Sequence, residues 1–158
     1  RQHMWAKLGL PVSGDPLLGD LLKLLDEVET DMTLFFRNLA KVRELEAEGL
    51  PAPLLRAYYQ ELPLEYLEKM RLWLLHYLGQ SGRDVELMNR VNPSLIPRNY
   101  LIQEVIDRAE KGDDKAVSEM LEQLRHPYRE RGDDDPLFQK RPEWARSAPG
   151  CSALSCSS

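Results

Sequence analysis

Only two cysteines occur in the 158 residues, Cys151 and Cys156, and both fall in the last eight. They cannot make a disulfide framework for the rest of the chain. No apolar run approaches the roughly 20 residues needed to cross a bilayer, so no membrane partner is expected. No cleavable signal pattern opens the chain. Positive charge is also short. Lys and Arg number 21 against 26 Asp and Glu, a net charge of −5, which argues against a nucleic-acid partner that needs a basic surface.

Several motifs are missing as well. There is no G-x-G-x-x-G and no G-x-x-x-x-G-K-[ST], so no phosphate-cradling glycine loop is present. H-R-D and D-F-G, the signature parts of a kinase, are absent. H-E-x-x-H and C-x-x-C are absent too, which removes the usual zinc patterns. Strand-like alternation of useful length and repeats at solenoid period are both lacking.

What remains is helical periodicity in a chain long enough for one modest core. Trp5, Leu8 and Leu10 lie in an opening segment punctuated by Gly9, Pro11 and Gly14. Asp15-Pro16 suits a helix start, followed by Leu17, Leu18, Leu21, Leu22, Leu25 and Val28 at helical spacing. A second helix is expected from Met32 to about Glu48, capped by Thr30 or Asp31, and ended by Gly49, Pro51 and Pro53. A short helix follows over about 54–60. Pro63 opens a longer one to Leu78, closed by Gly79. Its main stripe is Leu64, Leu67, Met70, Leu74, Tyr77 and Leu78, with Leu72, Leu75, Tyr66 and Trp73 outside it. So wide an apolar circumference predicts burial on two sides. Another short helix spans about 83–91.

The sharpest boundaries enclose Met88–Asp113. Asn92-Pro93 stops the preceding helix, because the residue before proline is pushed out of the α region. Pro97 is expected in the first turn of the next helix. Leu101, Ile102, Val105, Ile106 and Ala109 then fall on one face, and Gly112 supplies a left-handed stop. Burial of the four aliphatics there would contribute on the order of 6–12 kcal/mol as an upper bound. Asp113 or Asp114 caps a final helix through Arg125, with Ala116, Val117, Met120, Leu121 and Leu124 on its face. From His126 the pattern dissolves among prolines and the run Asp133-Asp134-Asp135, leaving Phe138 and Trp144 as anchors. The expected fold is all-α: an irregular bundle of about six helices over 1–125, with an extended C-terminal tail over 126–158. Arg1 at the start and Met4 in mid-pattern suggest a piece of a longer chain.

Candidate chemistry is sparse. His3, His76 and His126 are far apart, and His76, on a polar arc with Glu65 and Lys69, reads as a solvated histidine rather than a ligand or base. The aspartate run lacks the spaced oxygens and turn glycine of a calcium loop. Arg98 and Asn99 read first as helix-start residues that cap or pair locally. A helix-turn-helix reading of the last two helices is opposed by Asp113, Asp114, Glu119 and Glu122 on the candidate recognition helix. Cys151 and Cys156 can close a small ring, remain exposed thiols, or act as redox thiols at a mobile end.

Three groups of residues carry a family resemblance. They are Ala6-Lys7-Leu8-Gly9-Leu10 with Thr33-Leu34-Phe35-Phe36-Arg37; Val91-Asn92-Pro93 with Arg98-Asn99-Tyr100-Leu101 and Glu110-Lys111-Gly112-Asp113; and Trp144-Ala145 with the closing Cys156-Ser157-Ser158. Together they resemble the C-terminal part of the selenoprotein O (SelO, YdiU-like) family. The resemblance implies a pseudokinase-fold protein that transfers AMP from ATP to protein Ser, Thr or Tyr hydroxyls with Mg2+ or Mn2+. The nucleotide, metal and catalytic residues it implies belong to a kinase-like part upstream, so no catalytic, cofactor or metal residue is assigned in this chain. It implies a redox-sensitive disulfide between Cys156 and that kinase-like domain, the expected partner besides the protein substrates. Cys151 has no counterpart in the pattern, and Pro97 stands where an aliphatic residue is expected. The location implied is the cytoplasm for a bacterial member and the mitochondrion for a eukaryotic one. The rival reading is a stand-alone all-α interaction module without catalysis.

Overall fold

The structure is a computed structural model and describes residues 2–148; Cys151 and Cys156 lie outside the described residues. Every regular element among them is helical. Eight α-helices are present: α1 Gln2–Lys7, α2 Leu17–Glu27, α3 Met32–Leu39, α4 Ala52–Leu55, α5 Leu64–Leu78, α6 Val85–Val91, α7 Asn99–Glu110 and α8 Ala116–Leu124. A 3-10 turn, Glu143–Arg146, follows. The chain divides into two compact units between Asn92 and Pro93.

In the first unit α2 packs on α5, α1 on α6, and α3 on both α4 and α6. Helix starts follow local chemistry. The Asp15 carboxylate accepts from the Leu17 amide at 2.8 Å, Asp31 from Leu34 at 3.0 Å and Asp84 from Leu87 at 2.8 Å, each satisfying an otherwise orphaned donor. α5 keeps the bounds expected from Pro63 and Gly79, but its buried face is shifted. Tyr66, Met70, Trp73, Leu74 and Tyr77 are buried, while Leu64, Leu72 and Leu75 are exposed. The aromatics win the core because they bury more surface and their polar ends find partners there. Trp73 Nε1 donates to the Leu17 carbonyl at 2.8 Å, and Tyr77 Oη to that of Leu8 at 2.9 Å. The two rings stack with centroids 5.1 Å apart.

α3 ends at Leu39 and does not continue to Glu48. Carbonyls beyond its end accept from side chains elsewhere in the chain. Arg83 Nη1 donates to the Val42 carbonyl at 2.8 Å, and Arg71 Nη1 reaches those of Glu46 and Gly49. The Asn38 amide holds the Pro53 carbonyl at 2.8 Å. These bonds satisfy carbonyls of the irregular stretch 40–50 that no helix ladder serves.

The second unit is the α7–α8 hairpin and the segment that folds back over it. α7 begins one residue beyond Arg98, whose backbone is extended at φ −66°, ψ 145°. Pro97 therefore precedes the helix instead of occupying its first turn. Gly112, at φ 91°, makes the expected left-handed stop. The small core holds Leu95, Tyr100, Leu101 and Ala145, with Met120, Leu124, Leu137 and Ala148 against it. Only the first half of the expected α7 face is covered. Leu101 and Val105 are buried, but Ile106 is 44% exposed, and Val117 and Leu121 of α8 are 51% and 54% exposed. Burial along α7 is thus worth roughly half the expected figure, about 3–6 kcal/mol.

Candidate functional site

The segment 127–148 leads to Cys156, and three anchors fix it within the second unit. Ser94 makes the first. Its amide donates to the Pro127 carbonyl at 2.8 Å, and its hydroxyl, 3.1 Å from that carbonyl, donates to that of Arg129 at 2.6 Å. The Gln139 carbonyl makes the second, accepting from Arg98 Nη1 at 3.1 Å and from Tyr100 Oη at 3.2 Å. Trp144 makes the third, set edge-on to the Tyr100 ring at 6.4 Å while remaining half exposed. Phe138 is buried. Hydrophobic cover and carbonyl-directed donors together hold a stretch whose sequence has no helical period.

The aspartate run is not uniformly solvated. Asp135 accepts from Arg131 Nη1 at 3.0 Å with one oxygen and caps the Leu137 amide at 2.8 Å with the other. The Asp133 and Asp135 carbonyls both accept from the Gln139 amide at 2.9 Å. Among the described residues no group of three His, Cys, Asp or Glu stands close enough to hold a metal ion. His76 is half exposed and lies 3.2 Å from Asp15. Arg98 is buried and serves the Gln139 anchor; Asn99 is the first residue of α7.

The residues that carry the family resemblance meet one another. Arg37 is buried, and its Nη1 donates to the Asn89 carbonyl at 2.7 Å and the Asn92 carbonyl at 3.0 Å. It thereby fills two carbonyls at the C-terminal end of α6, where a cation is also favoured by the helix dipole. The Asn92 amide donates to the Lys7 carbonyl at 2.9 Å, and Lys7 Nζ donates back to Asn92 Oδ1 at 3.2 Å. Lys7 lies over the Phe36 ring at 5.2 Å, and burial pushes its ammonium below the usual lysine range. The stretches Ala6–Leu10 and Thr33–Arg37 therefore meet Val91-Asn92 in one knot of the first unit, and Arg98–Leu101 and Trp144-Ala145 are another in the second. Arg131 and Gln139 escaped notice in the sequence because they lie where periodicity had ended.

These helices and knots define an all-α region of a larger family. The family model described as Protein adenylyltransferase SelO matches residues 1–125, and the chain belongs to that family. Curated relatives carry the name Protein nucleotidyltransferase YdiU. One from Nitrosospira multiformis is 38% identical over 97% of this chain and 34% of its own length. One from Rhodopirellula baltica is 42% identical over 98% of this chain and 33% of its own. One from Tolumonas auensis is 43% identical over 97% and 31%. The chain spans about a third of the length of the curated relatives it matches.

Proposed function

We propose that this chain is the C-terminal helical region of a protein adenylyltransferase that moves AMP from ATP to Ser, Thr or Tyr hydroxyls of other proteins. The observation that carries the reading is the alignment with about a third of each YdiU nucleotidyltransferase, together with the SelO family match over 1–125. ATP and a divalent ion, Mg2+ or Mn2+, act in the remaining, kinase-like part of the protein. Residues 127–148, held within the second unit, lead on toward Cys156. The working compartment is the cytoplasm in a bacterial host. No helix among the described residues is long and apolar enough to cross a membrane.

Assignment of the chemistry to the rest of the protein is tested by ATP-dependent AMP transfer onto a generic protein acceptor. The 158-residue chain alone is expected to transfer nothing, while the full-length protein does. Robust transfer by the chain alone would refute the assignment.

Chain length gives the redox role a physical range. Ala148 packs against the core of the second unit. Eight residues further, Cys156 is reached by at most about 26–29 Å of backbone. A partner cysteine on the kinase-like domain has to lie within that radius of Ala148 plus the Cα–Cα span of a disulfide, about 4.4–6.8 Å. In the full-length protein Cys156→Ser is expected to remove an oxidised species that migrates differently without reductant. An unchanged pattern sinks the redox role.

A further inference from the structure

A cavity of about 370 Å³ opens between α7, α8 and the returning segment, inside the second unit. Three arginines line it, Arg108, Arg129 and Arg131, with the carboxylates of Glu119 and Asp135. Arg108 is spoken for, held by Asp113 at 2.8 Å through Nε and by Glu119 at 2.8 Å through Nη2. The other two arginines are not fully used. Arg131 is only 4% exposed; its Nη1 and Nη2 go to Asp135 and Gln123, both at 3.0 Å, and its Nε is buried without any acceptor. An unmet donor on a buried cation is a rare and unfavourable state. Arg129, at the exposed rim, has no side-chain hydrogen-bond or ion-pair partner among the described residues. Met120 and Leu137 supply apolar wall.

We infer that this cavity is a binding site for a small phosphomonoester whose phosphate bridges Arg129 and Arg131. Planar guanidinium forks match phosphate oxygens in pairs. A short turn of the Arg131 side chain exchanges the neutral Gln123 oxygen for a charged one and gives Nε its acceptor. The apolar wall takes the organic half. The volume lies at the lower end of the range of about 300–1,000 Å³ typical of small-molecule sites, which suits a ligand little larger than one ring with its phosphate.

The test titrates the 158-residue chain with phenyl phosphate, inorganic phosphate and benzoate at constant ionic strength. Calorimetry reads affinity, and NMR reads the arginine Nε–H signals. Phenyl phosphate is expected to move the Arg131 Nε–H signal saturably and to bind more tightly than the other two. Arg129→Ala, a change at an exposed position that leaves the helical circular dichroism unchanged, is expected to weaken binding about tenfold, the loss of one charge-assisted contact. Arg131→Lys keeps the charge, removes Nε and is expected to lose the site's phosphate preference. The proposal is overturned if neither phosphate compound moves that signal saturably, if Arg129→Ala binds as the parent does, or if benzoate matches phenyl phosphate. Inorganic phosphate binding as tightly as phenyl phosphate overturns the organic half of the assignment.

Discussion

Replacing Gly9 and Gly19 with alanine applies the same chemical change at two positions and is expected to give opposite results. Gly9 has φ 68°, a left-handed conformation, and a Cβ built there lies 2.5 Å from the Asp84 carbonyl oxygen and 2.8 Å from Met88 Cγ. The Gly9 carbonyl also accepts from the Asp84 amide at 2.8 Å, so the two backbones cannot part without breaking that bond. The left-handed conformation costs alanine about 1–2 kcal/mol, and forcing a methyl into filled space about 1–3. The reduced entropy of the unfolded chain returns about 0.4–1. The net expectation for Gly9→Ala is a loss of roughly 2–4 kcal/mol. Gly19 lies within α2 and is exposed, with nothing within 4 Å of a built Cβ. There Gly19→Ala is expected to add about 0.5–1 kcal/mol through helix propensity. Urea unfolding followed by circular dichroism measures both. With a slope of about 2 kcal/mol per molar, the Gly9 variant shifts its midpoint down by about 1–2 M and the Gly19 variant slightly up. A neutral Gly9→Ala would show that the approach of Gly9 to Asp84 does not constrain the fold.

Two pH experiments follow from buried and paired groups. Hydrogen bonding to the Arg108 guanidinium holds the Asp113 carboxyl below the ordinary value near 3.8. A depressed carboxylate stabilises above its unfolded value and loses that contribution as pH falls through its folded one. An NMR titration of the Asp113 carboxyl carbon is expected to give a midpoint below 3.8 that rises in Arg108→Ala, with the amides of Lys115 and Ala116 still holding it down in part; an unchanged midpoint in that variant counts against the pair. Burial pushes the Tyr77 phenol up to about 12, with the Arg83 guanidinium pulling the other way. A raised phenol contributes stability below its unfolded value near 10 that is lost as pH rises through about 12. Tyr77→Phe is expected to lose about 1–2 kcal/mol at neutral pH with the bond to the Leu8 carbonyl, and to flatten the alkaline decline of unfolding free energy measured in urea. Parallel alkaline curves for the two proteins would contradict the burial argument.

Element ends marked by backbone chemistry were legible in the sequence. Asp15, Asp31, Pro63, Gly79 and Gly112 act through their own geometry or through the next few amides, so a window of residues contains the cause. The all-α class followed from the same periodicity. The end of α3 was not legible, because Arg71 and Arg83 reach its continuation from more than 20 residues away. Nor was the exposure of Ile106 and Leu121. A helical period identifies an apolar face, while what covers it depends on tertiary packing. The segment 127–148 was hardest, since its order comes from three anchors and has no repeat of its own. Of the candidate site, Cys156 stood out by its address alone and lies outside the described residues. The arginine-lined cavity needed the fold to assemble it.

The irregular stretches share one manner of attachment. Ser94, Arg98 and Tyr100 all hold the returning segment by carbonyl oxygens, at Pro127, Arg129 and Gln139. Arg37, Arg71 and Arg83 do the same within the first unit. A carbonyl is supplied by whichever residue occupies the position, so these donors sense spacing and are indifferent to side-chain identity. Exchange of the side chains at Arg129 and Gln139 therefore leaves these bonds to their carbonyls in place, but the number of positions between the two, nine, is fixed. One residue added or removed there would move the Gln139 carbonyl by up to about 3.3–3.6 Å, more than a hydrogen bond can span.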